Sequence, residues 1–158
     1  MIRPDARTIP GVSTISRPAN RDDVPSWLEL VPEAEQLFGP MPAFDIRLRR
    51  SIDRGTAVVV ADRDEVAGGA LLSRDGEPHH IHWLYVRETR RRQGVGAALL
   101  FAILDRWPAG DIEVVTFTVA LPGGEAARAL YERFGFVSCG RTVPAPDGGA
   151  RDLFVLRR

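Results

Sequence analysis

The chain has 158 residues, a length that suits one domain with a hydrophobic core of its own rather than two domains. Its 21 acidic and 21 basic residues cancel to a formal net charge of zero, which argues against nucleic acid as the main partner. Every basic residue other than histidine is arginine, so lysine chemistry is excluded, and a single cysteine excludes an internal disulfide and favours a cytoplasmic location.

The first third of the chain predicts a lead-in, a strand and two helices. Residues 1–11 lack an apolar stretch and are expected to be a flexible lead-in to one domain over 12–158. No run of about 18 apolar residues occurs, so no membrane span is expected. Alternation from Val12 to Arg17 predicts a half-buried strand. A helix is predicted from Pro25 that weakens beyond Pro32, and a second one from Phe44 to Arg54.

The middle of the chain predicts strands that follow one another directly. The β-branched run Thr56–Ala61 and the apolar run Val66–Ser73 flank a short turn and predict a hairpin. His80–Val86 predicts a further strand. Strict alternation would put His80, His82, Leu84 and Val86 on one face and Ile81, Trp83 and Tyr85 on the other.

The last part of the chain alternates between helix and strand. Helices are predicted over Ala97–Leu104 and Glu125–Phe134, the latter with Ala127, Leu130 and Phe134 facing inward. Strands are predicted over Ile112–Ala120, Phe136–Arg141 and Asp152–Leu156. Interleaved strands and helices indicate one mixed α/β domain.

The segment Arg91-Arg92-Gln93-Gly94-Val95-Gly96 joins the strand that ends at Val86 to a buried helix. Backbone N–H groups at a helix start have no helical partners, and the helix dipole adds positive charge there. Glycines let a phosphate approach the backbone, and Arg90, Arg91 and Arg92 add formal charge. A tight turn with solvated arginines is the alternative. Neither a nucleotide P-loop nor a dinucleotide-binding turn fits, since lysine and a third glycine are missing.

Two motifs resemble those of the GCN5-related N-acetyltransferases (GNAT). Leu84-Tyr85-Val86 followed by Arg91-x-x-Gly94-x-Gly96 is similar to that family's acetyl-CoA motif. Ala127–Phe136, which contains Leu130-Tyr131-Glu132 and Gly135-Phe136, is similar to its second signature. The order of strands and helices from Val12 to Leu156 also fits. The resemblance implies an α/β single domain with a mixed, mostly antiparallel sheet of about seven strands, flanked by about four helices.

The resemblance also implies a role for each matching position. It implies acetyl-CoA as cosubstrate and no metal, with Tyr131 beside the sulfur of CoA. Gly124 stands where the family often has asparagine, which puts one contact to the pantetheine arm in doubt. The residues implied to bind acetyl-CoA are Leu84, Tyr85, Val86, Arg91, Arg92, Gln93, Gly94, Val95, Gly96, Ala97 and Tyr131.

Acetyl transfer to an amine needs an acid for the leaving thiolate and a base for the amine. Tyr131 is the predicted acid, because a phenol is protonated at neutral pH; a tyrosine that only packs at the core edge is the alternative. His82 is the predicted base, and His80 is the competing candidate. The alternative is that His82 is a partly exposed strand histidine without a catalytic role. Cys139 is predicted to be a small buried filler.

The acceptor is the least defined part of the prediction. Between Pro18 and Ile46 the chain carries six carboxylates against Arg21, which favours a cationic small-molecule or peptide amine if this segment lines the acceptor groove. The alternative is that these carboxylates lie on a solvated helix face and only aid solubility. A regulatory domain that binds acetyl-CoA without turnover, or a hydroxyl acceptor, remains open, and so does oligomeric state, a homodimer included. The six carboxylates belong to Asp22, Asp23, Glu29, Glu33, Glu35 and Asp45.

Overall fold

The computed structural model describes residues 15–118, 124–142 and 150–158. The start of the strand predicted from Val12 and the end of the strand predicted to Ala120 lie outside these ranges. In chain order the elements are β1 Ile15–Pro18, a 3-10 turn Arg21–Asp23, α1 Val24–Leu28, α2 Val31–Phe38, α3 Phe44–Asp53, β2 Ala57–Asp62, β3 Glu65–Leu72, β4 His79–Val86, a 3-10 turn Glu88–Arg90, α4 Val95–Arg106, β5 Ile112–Phe117, α5 Gly124–Arg133, β6 Val137–Arg141 and β7 Arg151–Leu156.

All the described strands join one sheet of seven strands in the order β1-β2-β3-β4-β5-β7-β6. Neighbouring strands are antiparallel except β4 and β5, which are parallel. The predicted hairpin is confirmed as β2 and β3. The predicted fold class, an α/β domain with a mixed and mostly antiparallel sheet, is confirmed as well.

Two groups of helices cover the two faces of the sheet. One core cluster lies under α4 and α5 and includes Leu99, Ile103 and Tyr131. A second cluster lies under α1, α2 and α3 against β2, β3 and β4, and includes Trp27 and Leu48. We call the first side the α4–α5 face and the second side the α1–α3 face.

Two adjacent glycines of β3 let helices approach the sheet on both faces. A Cβ on Gly68 would lie 2.8 Å from Val95 at the start of α4, and a Cβ on Gly69 would lie 2.4 Å from the Trp27 ring of α1. Side chains at these positions would force the helices outward, because a packed interior has little free volume. The glycine pair therefore sets the height of α1 and of the α4 N-terminus above β3.

Two observations correct the sequence analysis of the fold. The helix predicted from Pro25 is two helices, and it does not weaken at Pro32, because proline is tolerated in the first turn of α2. Cys139 is exposed rather than buried, since it lies on the edge strand β6, where residues 137–140 are all exposed. Within the described residues, no helix has the length and apolarity to cross a membrane.

Candidate active site

The parallel strands β4 and β5 separate soon after they meet. Their pairing is limited to three residue pairs, from His79 with Ile112 to Ile81 with Val114. Both strands continue beyond the last pair, β4 to Val86 and β5 to Phe117. A gap therefore opens in the middle of the sheet, lined on one side by the backbone of β4.

Backbone groups of two β4 residues face this gap. The Arg87 amide donates to the Ala67 carbonyl at 2.7 Å, and the register continues through Tyr85 opposite Gly69. Bonded and non-bonded pairs alternate in an antiparallel ladder, so Leu84 and Val86 direct their backbone groups away from β3. Accordingly, the Val86 carbonyl accepts a 3.4 Å hydrogen bond from Arg91 Nε on the open side.

The start of α4 lies at the far end of the gap. Gly94 caps this helix in the left-handed conformation, with φ of 78°, and no side chain caps the first turn. The amides of Val95, Gly96 and Ala97 are therefore available to an anion, as the sequence predicts for a phosphate-binding turn. Gly96 has a further role, because a Cβ there would lie 2.8 Å from Leu130 of α5.

The three consecutive arginines of the turn have different surroundings. Arg90 pairs with Asp62 at 3.3 Å and Glu65 at 3.4 Å, so it ties the turn to the β2–β3 hairpin. Arg91 donates to the Tyr85 hydroxyl at 3.0 Å. The Arg92 side chain is exposed and makes no ion pair or hydrogen bond with the described part of the chain. Arg92 is available to a polyphosphate. Arg91 becomes available as well if its side chain rotates away from the Tyr85 hydroxyl.

Tyr131 lies on the α4–α5 face, where α5 crosses the sheet. Its side chain is buried against the rings of Phe136, 5.5 Å away between centroids, and Phe154, 6.4 Å away. Its hydroxyl forms no hydrogen bond to residues in the described ranges. Burial raises the pKa of the Tyr131 phenol far above its ordinary value, so the group stays protonated throughout the neutral range.

A β-bulge at His82 changes which β4 side chains share a face. Leu71 pairs with Trp83 while Leu72 pairs with Ile81, which leaves His82 as the extra residue of β4. Ile81 consequently belongs to the α4–α5 cluster with Leu84 and Val86, whereas Trp83 and Tyr85 belong to the α1–α3 cluster. The strict alternation predicted from sequence is wrong here, because a bulge shifts the face of every later residue.

His82 lies on the α1–α3 face at the point where β4 and β5 part. Its ring is nearly parallel to that of His80, with centroids 5.9 Å apart. The pKa of His82 is lowered, first by partial burial and then by the positive charges of Arg47 and His80. His82 is therefore neutral at pH 7, as a proton acceptor must be. His80 Nδ1 lies 3.5 Å from Glu113 Oε2 of β5.

Aromatic rings cover the gap on the α1–α3 face. Phe38 of α2 stacks on Phe117 of β5 at 5.2 Å and meets Tyr85 of β4 edge-on at 6.0 Å, so it reaches both diverging strands. Burial and the nearby Glu33 carboxylate raise the pKa of Tyr85 to about 12. Sequence analysis did not identify Phe38, Phe117 or Glu113, because nothing in the local pattern relates α2 to β5.

Most carboxylates of the acidic segment already bind protein groups. Asp23 is buried and pairs with Arg17 at 2.7 Å, while Glu29 pairs with Arg87 at 3.2 Å. Glu33 accepts from the Glu88 amide at 2.8 Å, and Glu35 accepts from the Met41 amide at 3.3 Å. Two of the six carboxylates are thus paired with arginines, and two others accept hydrogen bonds from backbone amides.

Comparison with known proteins agrees with this architecture. A profile of the acetyltransferase (GNAT) family matches residues 22–136, and the chain belongs to that family. It is therefore an acyltransferase. No curated protein sequence matches the chain.

Solved structures share the fold at low sequence identity. A GNAT acetyltransferase from Bacillus cereus is 19% identical with a TM-score of 0.74, covering 93% of this chain and 99% of its own. The PaiA N-acetyltransferase from Thermoplasma acidophilum, solved with coenzyme A, is 12% identical with a TM-score of 0.73, covering 93% and 100%. A ribosomal-protein alanine N-acetyltransferase from Escherichia coli is 21% identical with a TM-score of 0.67, covering 90% and 92%.

Proposed function

We propose that this protein transfers an acetyl group from acetyl-CoA to a primary amine. The observation that carries the proposal is the gap between β4 and β5, which leads from the bulge at His82 to the uncapped start of α4. Leu84 and Val86 direct backbone groups into this gap, which suits an amide-containing arm such as pantetheine. The amides of Val95–Ala97 and the guanidinium of Arg92 suit the pyrophosphate. The E. coli neighbour is named for acetylating an alanine amine, which supports this type of acceptor.

The candidate acid and base lie on opposite faces of the sheet, with the gap between them. The neutral amine attacks the thioester carbonyl, forming the C–N bond, and His82 takes the proton that the nitrogen loses. Backbone N–H groups of β4 stabilise the oxyanion in the gap. As the C–S bond breaks, Tyr131 donates its proton to the sulfur. Solvent then returns the proton to Tyr131 and removes the one on His82.

An acetyl-transfer assay tests the proposal directly. Purified protein with acetyl-CoA should release free thiol only when a primary amine is present, and mass spectrometry should find the amine heavier by one acetyl group. Matched alcohols should give no product. Binding of acetyl-CoA without thiol release from any amine would support the regulatory alternative. Product from alcohols alone would support a hydroxyl acceptor.

The pH dependence of the rate tests His82. Because the pKa of His82 is lowered, its neutral form dominates above that pKa, and kcat should rise with pH through an apparent pKa below the ordinary histidine value. His82→Ala should remove this rise of kcat with pH. His80→Ala should retain the rise but move it to higher pH, because the charge of His80 contributes to the lowered pKa of His82. The same rise in His82→Ala as in the wild type would leave His82 without a catalytic role.

A further inference from the structure

Three ionisable side chains surround His82 on the α1–α3 face. His80 lies beside the His82 ring, and the carboxylate of Glu113 lies against His80 at 3.5 Å. Arg47 of α3 adds a permanent positive charge that acts on the His82 ring. Because Glu113 lies against His80, Arg47 remains available to a group on the acceptor.

Arg47 is held above β4 by the packing of α3. The ring of Phe44, in the first turn of α3, lies 5.0 Å from the ring of Trp83, which follows His82 in β4. Arg47 is three residues after Phe44, so the two are neighbours on one helix face. Its charge reaches the His82 ring, where it disfavours the protonated form.

The guanidinium of Arg47 has no counter-ion within its own helix. The helical neighbours at three and four residues are Ala43, Phe44, Arg50 and Ser51, of which none is acidic. Asp45 is two residues away and therefore points to another side of α3. Arg47 is exposed and makes no side-chain hydrogen bond or ion pair with residues 15–118, 124–142 or 150–158. A guanidinium without a partner in these ranges suits an anionic group on the acceptor.

We infer that the acceptor carries a carboxylate close to its amine and that Arg47 binds this carboxylate. The inference rests on the proposed acetyl transfer and adds the substrate class. The carboxylate offsets the repulsion that Arg47 exerts on an incoming ammonium, and a guanidinium is suited to bidentate pairing with it. The carboxylate belongs either to a free amino acid or to an acidic first residue of a peptide.

Two matched acceptor pairs test the inference and separate its two sources. Alanine against alaninamide tests a free α-carboxylate, and the amidated dipeptide Asp-Ala against Asn-Ala tests an acidic side chain. The values of kcat/KM are calculated from the concentration of the unprotonated amine. The wild type should then prefer the anionic member of at least one pair about tenfold or more, the scale of a charge-assisted hydrogen bond. The preference should fall at high salt.

Substitution of Arg47 completes the test. Arg47→Gln should abolish the preference through a higher KM for the anionic member, whereas Arg47→Lys should retain part of it. Arg49→Gln is the matched control, with the same charge change on another side of α3. Turnover of alaninamide or a diamine without any carboxylate preference overturns this inference alone. Absence of turnover with every acceptor overturns the proposed function as well.

Discussion

Tyr131→Phe is expected to lower kcat about 10²-fold or more, because the CoA thiolate then leaves without its proton donor. The phenol is available for this role because it stays protonated throughout the neutral range. The measurement is steady-state acetyl transfer with a saturating amine, followed as free thiol. Turnover at the wild-type rate would show that solvent or another group protonates the sulfur.

Stability measurements on the same variant separate catalysis from packing. The Tyr131 hydroxyl makes no hydrogen bond within the described residues, and its ring packs on Phe136 and Phe154. Phenylalanine keeps that packing, so the melting temperature should stay the same or rise slightly. The rise in melting temperature caused by CoA should also persist. A large loss of stability would instead indicate a structural role.

Gly94→Glu is expected to abolish binding of CoA and acetyl-CoA. The substitution places a side chain and a negative charge at the N-terminus of α4, where the pyrophosphate is proposed to bind. Wild-type protein at 100 times Kd should gain about 2.7 kcal/mol of stability from the ligand, seen as a higher melting temperature, and the variant should gain none.

Gly94→Ala is the control for backbone strain at this position. Both variants force an L-residue into the left-handed region, at φ of 78°, but only glutamate adds charge. Alanine should therefore destabilise the free protein and still leave measurable stabilisation by CoA. The glycine at 96 is less suitable, because its substitution would also disturb the contact with Leu130. Equal CoA affinity in Gly94→Glu and the wild type would contradict the assignment of this turn.

Elements with strong local patterns could be predicted from the sequence. The β2–β3 hairpin, the helix α4 and the strands β4 and β7 lie within about two residues of their predicted bounds, because periodicity and turn residues are local signals. The start of α4 with Gly94 and Gly96 is local too, which is why the turn before this helix could be predicted.

Features set by distant partners could not be predicted. The bulge at His82 depends on the register between β4 and β3, and the partners of Glu33 and Arg90 come from other elements. Arg47 is one of several arginines on a polar helix, and the packing of α3 on the sheet, which includes the contact between Phe44 and Trp83, is not readable from the local sequence. The surroundings of His82 follow from these contacts between distant elements, which a count of acidic residues along the chain does not contain.

The division of the site between two faces of the sheet bears on how such an enzyme acquires new substrates. Donor recognition is assigned to backbone groups of β4 and to the first turn of α4, which depend little on side-chain identity. Acceptor recognition is assigned to side chains from α3 and from the opposite face of β4. On the proposed assignment, we expect substitutions at positions such as Arg47 to change the acceptor preference and to leave acetyl-CoA binding intact, so redesign would begin at α3.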